Sequence, residues 1–148
     1  MAWVGVVLCR AILFLRLYCF HWDKKRQQWE LPKGGAELTD PSSSTGSVDS
    51  SPFATARGEL WEEAGIWLEW REENTFAWLD KYGNVLNHGL EEGKSGWIYT
   101  RVQENDTFIY HADRIWMTLE EYRMEPLRRD DHVDLLERIE ADAHIQFW

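Results

Sequence analysis

Glu59, Glu62 and Glu63 stand at i, i+3 and i+4 in a segment of helical apolar spacing, so all three project from one face. At 4 Å, like charges repel by about 1 kcal/mol in water and about 4 kcal/mol at an effective dielectric of 20. The trio also falls in the last turns before Gly65, where the helix dipole is negative and acids are disfavoured. No Lys or Arg lies within four residues on that face, so nothing local relieves the repulsion. A divalent cation would. Hard cations such as Mg²⁺ take carboxylate and carbonyl oxygens and keep several waters that a phosphate can displace. Taken alone, such a trio reads better as a solvated acidic face. Upstream, Leu31-Pro32-Lys33-Gly34-Gly35 places a glycine-rich turn between a strand and this helix. Glycine lets backbone approach an ion or a pyrophosphate closely, and a free carbonyl there can complete a metal site.

The elements that must position these groups are legible in outline. Trp3–Cys9 and Ile12–Tyr18 read as two buried strands, followed by a polar turn over residues 23–28. The segment 41–52, PSSSTGSVDSSP, has the composition of a surface loop. Ser51 is a suitable N-cap and Pro52 suits the first helical position. Phe53, Ala56, Leu60 and Ala64 then recur at helical spacing, and Gly65 stops the helix. Short strands are expected at 66–70, 76–80, 97–103, 107–110 and 115–117, with a turn at 81–84. Residues 130–143 carry Val133, Leu136, Ile139 and Ala143 on one side and predict a closing amphipathic helix. The order strands, helix, strands, helix places the chain in the α+β class, with a mixed sheet between helices.

Length and composition bound the partners. The 148 residues suit a single domain, 1–148, with 44% apolar, 14% aromatic and 28% charged residues. Sixteen basic against 26 acidic residues give a formal charge of −10, which disfavours non-specific binding to nucleic acid or to an anionic membrane. Cys9 and Cys19 lack the number or spacing of a disulfide framework or a zinc site and read as free thiols of a reducing compartment. Arg10 and Arg16 interrupt the apolar N-terminal run, which argues against a membrane span or a signal peptide. A cytoplasmic protein is expected, with a short organelle-targeting role left open.

With the glycine turn and the glutamate helix in place, the chain resembles the Nudix hydrolase family. Its signature runs Gly, five residues, Glu, seven residues, then Arg-Glu-aliphatic-X-Glu-Glu-X-Gly-aliphatic. Here Gly34 opens the series and Asp40 stands where the family has Glu. The second half, Gly58-Glu59-Leu60-Trp61-Glu62-Glu63-Ala64-Gly65-Ile66, matches at every defined position except the first. The strand Trp29-Glu30-Leu31-Pro32 entering the box and Trp116-Met117-Thr118-Leu119-Glu120-Glu121 near the end are similar to the family as well. Three departures stand out: Asp at 40, Gly at 58 in place of Arg, and 17 residues between them where the family has seven, which makes the Ser-rich loop an insertion. Arg57 is adjacent, but on a helix it points about 100° away.

The resemblance implies a Nudix fold, a mixed sheet sandwiched between helices, and metal-dependent hydrolysis of a nucleoside diphosphate linked to another moiety or of a related polyphosphate. It implies Glu59, Glu62 and Glu63 as ligands of Mg²⁺ or Mn²⁺, with Glu59 as ligand or general base. Lys33, Gly34 and Gly35 would meet the phosphates, and a small phosphoanhydride is the implied partner. A dinucleoside polyphosphate, a diphosphoinositol polyphosphate and an RNA 5′ end all remain open as substrates. The alternative is a Nudix-fold nucleotide-binding or regulatory module that has lost turnover. Trp22, Trp67, Trp70, Trp78 and Trp97 are candidates for stacking a base, with core packing as the other reading of each. Lys24, Lys25 and Arg26, with Arg128 and Arg129, are the basic clusters. Glu91, Glu92, Glu104 and Asp106 read as further carboxylates or as solvated surface, and His88 and His111 lack metal-site spacing.

Overall fold

A computed structural model describes residues 2–35, 51–69, 76–91, 93–142 and 145. Among them, one sheet has seven strands. Its path runs β3 (Gln28–Glu30), β2 (Leu15–Asp23), β1 (Trp3–Ile12), β7 (Gly96–Arg101) and β6 (Phe76–Asp80). Off this path, β4 (Lys33–Gly35) pairs with β1 and β9 (Arg114–Met117) pairs with β2. β1 and β7 run parallel, with Val4 opposite Gly96 and Cys9 opposite Arg101, while the other pairs are antiparallel. The sheet is therefore mixed, as the sequence predicts. β5 (Ile66–Trp67) and β8 (Thr107–Phe108) form a separate two-stranded ribbon.

Side-chain alternation along β1 and β2 builds two cores from the same strands. Val4, Val6, Leu8 and Cys19 face helix α1 (Pro52–Ala64), where Ala56, Leu60 and Ala64 meet them. Val7, Cys9, Tyr18 and Phe20 face the other way, onto Tyr122 of α2 (Leu119–Met124) and Val133, Leu136 and Ile139 of α3 (Asp130–Ala141). Helices thus cover both faces of the sheet. Each cysteine is buried in a different core and both are free thiols. Burial pushes the Cys19 thiol up to about 12.

The structure corrects several expectations about extent. The second strand begins at Leu15, because residues 12–15 form the tip of the β1–β2 hairpin and are exposed, Leu13 at 92% and Phe14 at 103%. Leu13 takes the left-handed conformation, with φ 55°, that lets so short a connection turn. The glycine-rich segment 33–35 is a strand rather than a free turn, since its backbone pairs with Trp3–Gly5. Helix α2 starts within the 116–121 segment that resembles the family's entry into its last helix; its six residues are too few to show periodicity, and Thr118 and Glu121 open it with a reciprocal capping box. Trp70, Asp40, Glu92, Ala143 and the Ser-rich loop apart from Ser51 and Pro52 lie outside the described residues. No helix among the described residues is long and apolar enough to cross a membrane.

Candidate active site

Helix α1 is framed as its sequence predicts. Ser51 Oγ accepts the Ala54 N–H at 3.1 Å, Pro52 opens the first turn, and Gly65 closes the helix in the left-handed conformation (φ 68°). Glu59, Glu62 and Glu63 share the final turns, and each goes to a different environment. Glu59 leans onto β4: a β-carbon added to Gly34 would overlap its carboxyl group, so the absent side chain at position 34 is what admits it. Glu63 turns toward the sheet, where its Oε2 lies 2.9 Å from Nε2 of His21 on β2. That oxygen is buried and, apart from this ion pair, has no hydrogen-bond partner among the described residues. Glu62 is exposed. Among the described residues no three His, Cys, Asp or Glu side chains gather closely enough to hold an ion.

Glu63 and the carbonyls at the end of α1 are met by groups from far along the chain that local spacing does not reveal. Alternation puts His21 on the α1 side of β2, the side of Cys19. Burial, which disfavours the imidazolium, is outweighed by the hydrogen-bonding and charge of Glu63 with help from Glu30 and Asp23, so His21 titrates above its ordinary value. Arg114 donates from Nη1 to the Ala64 carbonyl at 2.7 Å and the Ile109 carbonyl at 2.8 Å, a cation at the negative end of the dipole. His111 Nδ1 accepts the Asp113 N–H, which leaves the proton on Nε2, 3.2 Å from the Glu62 carbonyl. Glu63 and the helix-end carbonyls thus have partners without a metal ion, none of them local in sequence.

β4 splits the glycine-turn residues between two sides. Gly34 meets Glu59, whereas the Lys33 ammonium lies on the Trp3 ring, 4.6 Å from its centre, and Gly35 is exposed at the strand end. Lys33 opens onto a cavity of about 490 Å³ lined by Trp3, Trp97, Lys81, Tyr82, Arg129, Asp131, His132, Asp134, Leu135 and Arg138. Burial and the nearby Arg129 charge hold the Lys33 ammonium below its usual range. Arg129 is fixed by Glu30 at 2.9 Å and by Asp131 at 2.6 Å, and Glu30 is itself buried at 2% exposure. A larger hollow of about 650 Å³ sits among loop residues 80–95 and touches no residue of α1.

The chain matches no family model and no curated protein. Its structure is similar to that of the C. elegans Ap4A hydrolase, at 19% identity over 95% of this chain and 98% of that one, with a TM-score of 0.57. It is also similar to the Nudix domain of Shewanella oneidensis NrtR complexed with ADP ribose (17% identity, 95% and 86% coverage, TM-score 0.55). A third match is RenU, a Nudix hydrolase from M. smegmatis (12% identity, 95% and 84% coverage, TM-score 0.58). The chain has the Nudix fold. Within it, the described residues that resemble the Nudix signature lie on α1, as the sequence predicts, and on β4, which the sequence reads as a turn.

Against the Nudix fold the other sequence candidates sort plainly. A β-carbon at Gly58 would meet nothing within 4 Å, so the place of the missing Arg is open space. Arg57 instead stacks on Phe53 and Trp67, 4.8 and 4.9 Å from their ring centres. Trp97 is buried against Trp3 and His132, and Trp22, Trp67 and Trp78 pack against neighbouring aromatic rings. Of the basic clusters, Arg26 reaches Glu30, Lys24 reaches Asp113 and Arg128 reaches Asp130. Asp106 accepts the backbone N–H groups of Glu69 and Gln103, a loop-tying role, and Glu91 and Glu104 are exposed. Sequence reasoning missed His21 and Arg114 at the end of α1, and Trp3, Lys81 and Arg138 at the Lys33 cavity, because only strand alternation and long-range pairing bring them there.

Proposed function

We propose that the chain is a divalent-metal-dependent hydrolase of phosphoanhydride bonds, acting on a nucleoside diphosphate linked to another moiety or on a related polyphosphate. The observation that carries this reading is the Glu59 carboxyl group seated against Gly34, which joins the signature helix to the glycine strand at backbone distance. By donor type, the carboxylates of Glu59, Glu62 and Glu63 with a backbone carbonyl of Lys33 or Gly34 suit a hard cation, which would have to draw together side chains that do not gather without it. A bound Mg²⁺ or Mn²⁺ would neutralise charge on the phosphates and favour ionisation of an attacking water. Glu59 is placed to serve as ligand or to take the proton from that water. By the resemblance Lys33 would meet the phosphates; its side chain opens onto the cavity on the α3 side of β4, which none of Glu59, Glu62 and Glu63 lines.

The test is release of phosphate or nucleotide from dinucleoside polyphosphates, diphosphoinositol polyphosphates and 5′-triphosphorylated RNA in Mg²⁺ or Mn²⁺. Glu63→Gln is expected to lower turnover at least about 100-fold, and an unchanged rate removes Glu63 from the site. A second reading, a binding module without turnover, is favoured by Gly58, which stands where the family has Arg and where a β-carbon would meet nothing within 4 Å. Tight nucleotide binding with no hydrolysis of any panel member would establish it.

A further inference from the structure

The β1–β2 hairpin runs past the sheet that holds it. β7 pairs with β1 only as far as Cys9, and β9 pairs with β2 only from Tyr18 onward, so residues 10–17 form a free two-stranded arm. At about 3.3 Å per residue, the arm reaches roughly 13 Å beyond those neighbours. Its tip is apolar and bare: Ile12 and Leu15 are about half exposed, and Leu13 and Phe14 almost wholly so. Arg10 and Arg16 stand behind the tip. No acid occurs in residues 1–22, so all 26 acidic residues lie on the rest of the chain. The arm is the basic, apolar projection of an acidic molecule.

Beside the arm lies a surface of the opposite charge. An open hollow of about 600 Å³ sits between β9 and α2, with Trp116 and Met124 as apolar wall and Glu120, Glu121 and Glu125 around it. Met124 is 82% exposed. Glu120, 90% exposed, comes no nearer to a cation than 3.9 Å, from Arg123, among the described residues. Glu120 also borders a second hollow, of about 430 Å³, that reaches Phe14 and Arg16, so arm and hollow adjoin on one chain. A two-fold axis between them lets each copy insert its tip into the other, and the contact, made twice, closes at two copies. We infer that the arm docks a second copy of this chain: Leu13 and Phe14 enter the hollow over Trp116 and Met124, with Arg10 and Arg16 facing its carboxylates. Apolar burial supplies the attraction, and charge selects the surface. A second arm would set arginine against arginine, and an anionic lipid surface would repel the body behind the arm. The docking is independent of the hydrolase reading.

Sedimentation equilibrium of the full chain at up to about 100 µM, in about 0.5 M salt to screen the long-range repulsion, is the test. A monomer–dimer equilibrium is expected, with no larger species. Leu13→Ser with Phe14→Ser removes the tip, and Met124→Lys alters only the hollow; each is expected to weaken dimerisation at least about tenfold, in chains that circular dichroism shows to be folded. A mixture of the two variants keeps one intact contact, the tip of the Met124→Lys chain in the hollow of the other, and should associate more tightly than either variant alone. A chain that stays monomeric throughout overturns the inference. So does association that the tip variant abolishes and Met124→Lys leaves unchanged, since the tips would then meet each other. Growth beyond dimers overturns the closed two-fold contact. Flotation with phosphatidylcholine vesicles covers the remaining occupant: a monomeric chain that floats with them through Leu13 and Phe14 assigns the arm to lipid and overturns docking of a second copy.

Discussion

Gly34 and Glu59 define the smallest scale at which this molecule can be tested. In Gly34→Ala the new methyl group collides with the end of a flexible side chain, not with backbone, so Glu59 can swing aside at little cost. Stability measured by chemical denaturation is therefore expected to change by less than about 1 kcal/mol, whereas hydrolysis of the best panel substrate should fall at least about tenfold because the carboxylate has left the bend. His132 gives a second test, by pH. Its Nδ1 accepts the Leu31 N–H at 3.0 Å, leaving a buried Nε2 without a hydrogen-bond partner among the described residues. Burial and the charge of Arg129 hold its pKa down at about 3, against the opposing pull of Asp131. The unfolded chain binds the proton near the ordinary histidine value of about 6.5, so the stability this residue confers is complete above that pH. It drains away as pH falls toward 3, at up to about 1.4 kcal/mol per unit. His132→Asn, which keeps an acceptor for Leu31, should flatten the decline between pH 6.5 and 4 in denaturant titrations.

At the scale of elements, α1 was readable from sequence because every signal that starts and stops a helix lies within it or beside it. Its neighbours were not. Ile12–Leu15 looked like buried strand because apolar residues in a short run carry no information about which end of a hairpin they occupy. Lys33, Gly34 and Gly35 looked like one phosphate loop because adjacency in sequence hides the pleat, which sends Lys33 to the α3 side and Gly34 to the α1 side. His21 and Arg114 escaped notice, and His111 was weighed only for metal-site spacing, for the same reason: their relevance depends on which strand lies beside which. Gly65 is where the element-scale reading can be checked. Its left-handed φ and the Ile109 side chain, 2.9 Å from where a β-carbon would sit, both oppose substitution. Gly65→Ala should cost about 1–2 kcal/mol, measurable as a lower denaturation midpoint, and should loosen the end of the helix that carries Glu62 and Glu63.

Over the whole molecule, charge and apolar surface are unevenly spread. The chain carries −10 overall, while Leu13 and Phe14 project bare from the hairpin tip between Arg10 and Arg16. Long-range repulsion keeps copies apart in dilute buffer, and about 0.5 M salt shortens its reach to a few ångströms without weakening apolar contact. Light scattering should therefore show self-association that grows with salt, and a Leu13→Ser, Phe14→Ser double variant should remove most of it. Size, class and the α+β order were visible in composition and periodicity; the mixed sheet's strand order was not, since β1 finds its parallel partner only by crossing most of the chain. That pairing has a consequence during synthesis. Val4 must wait for Gly96, its partner ninety-two positions later, and at 5–20 residues per second a ribosome takes roughly 5–20 s to supply it. Throughout that interval the first hairpin leaves the exit tunnel with one edge unclaimed, so the nascent chain depends on chaperones, or on speed, to keep that edge from pairing with a stranger.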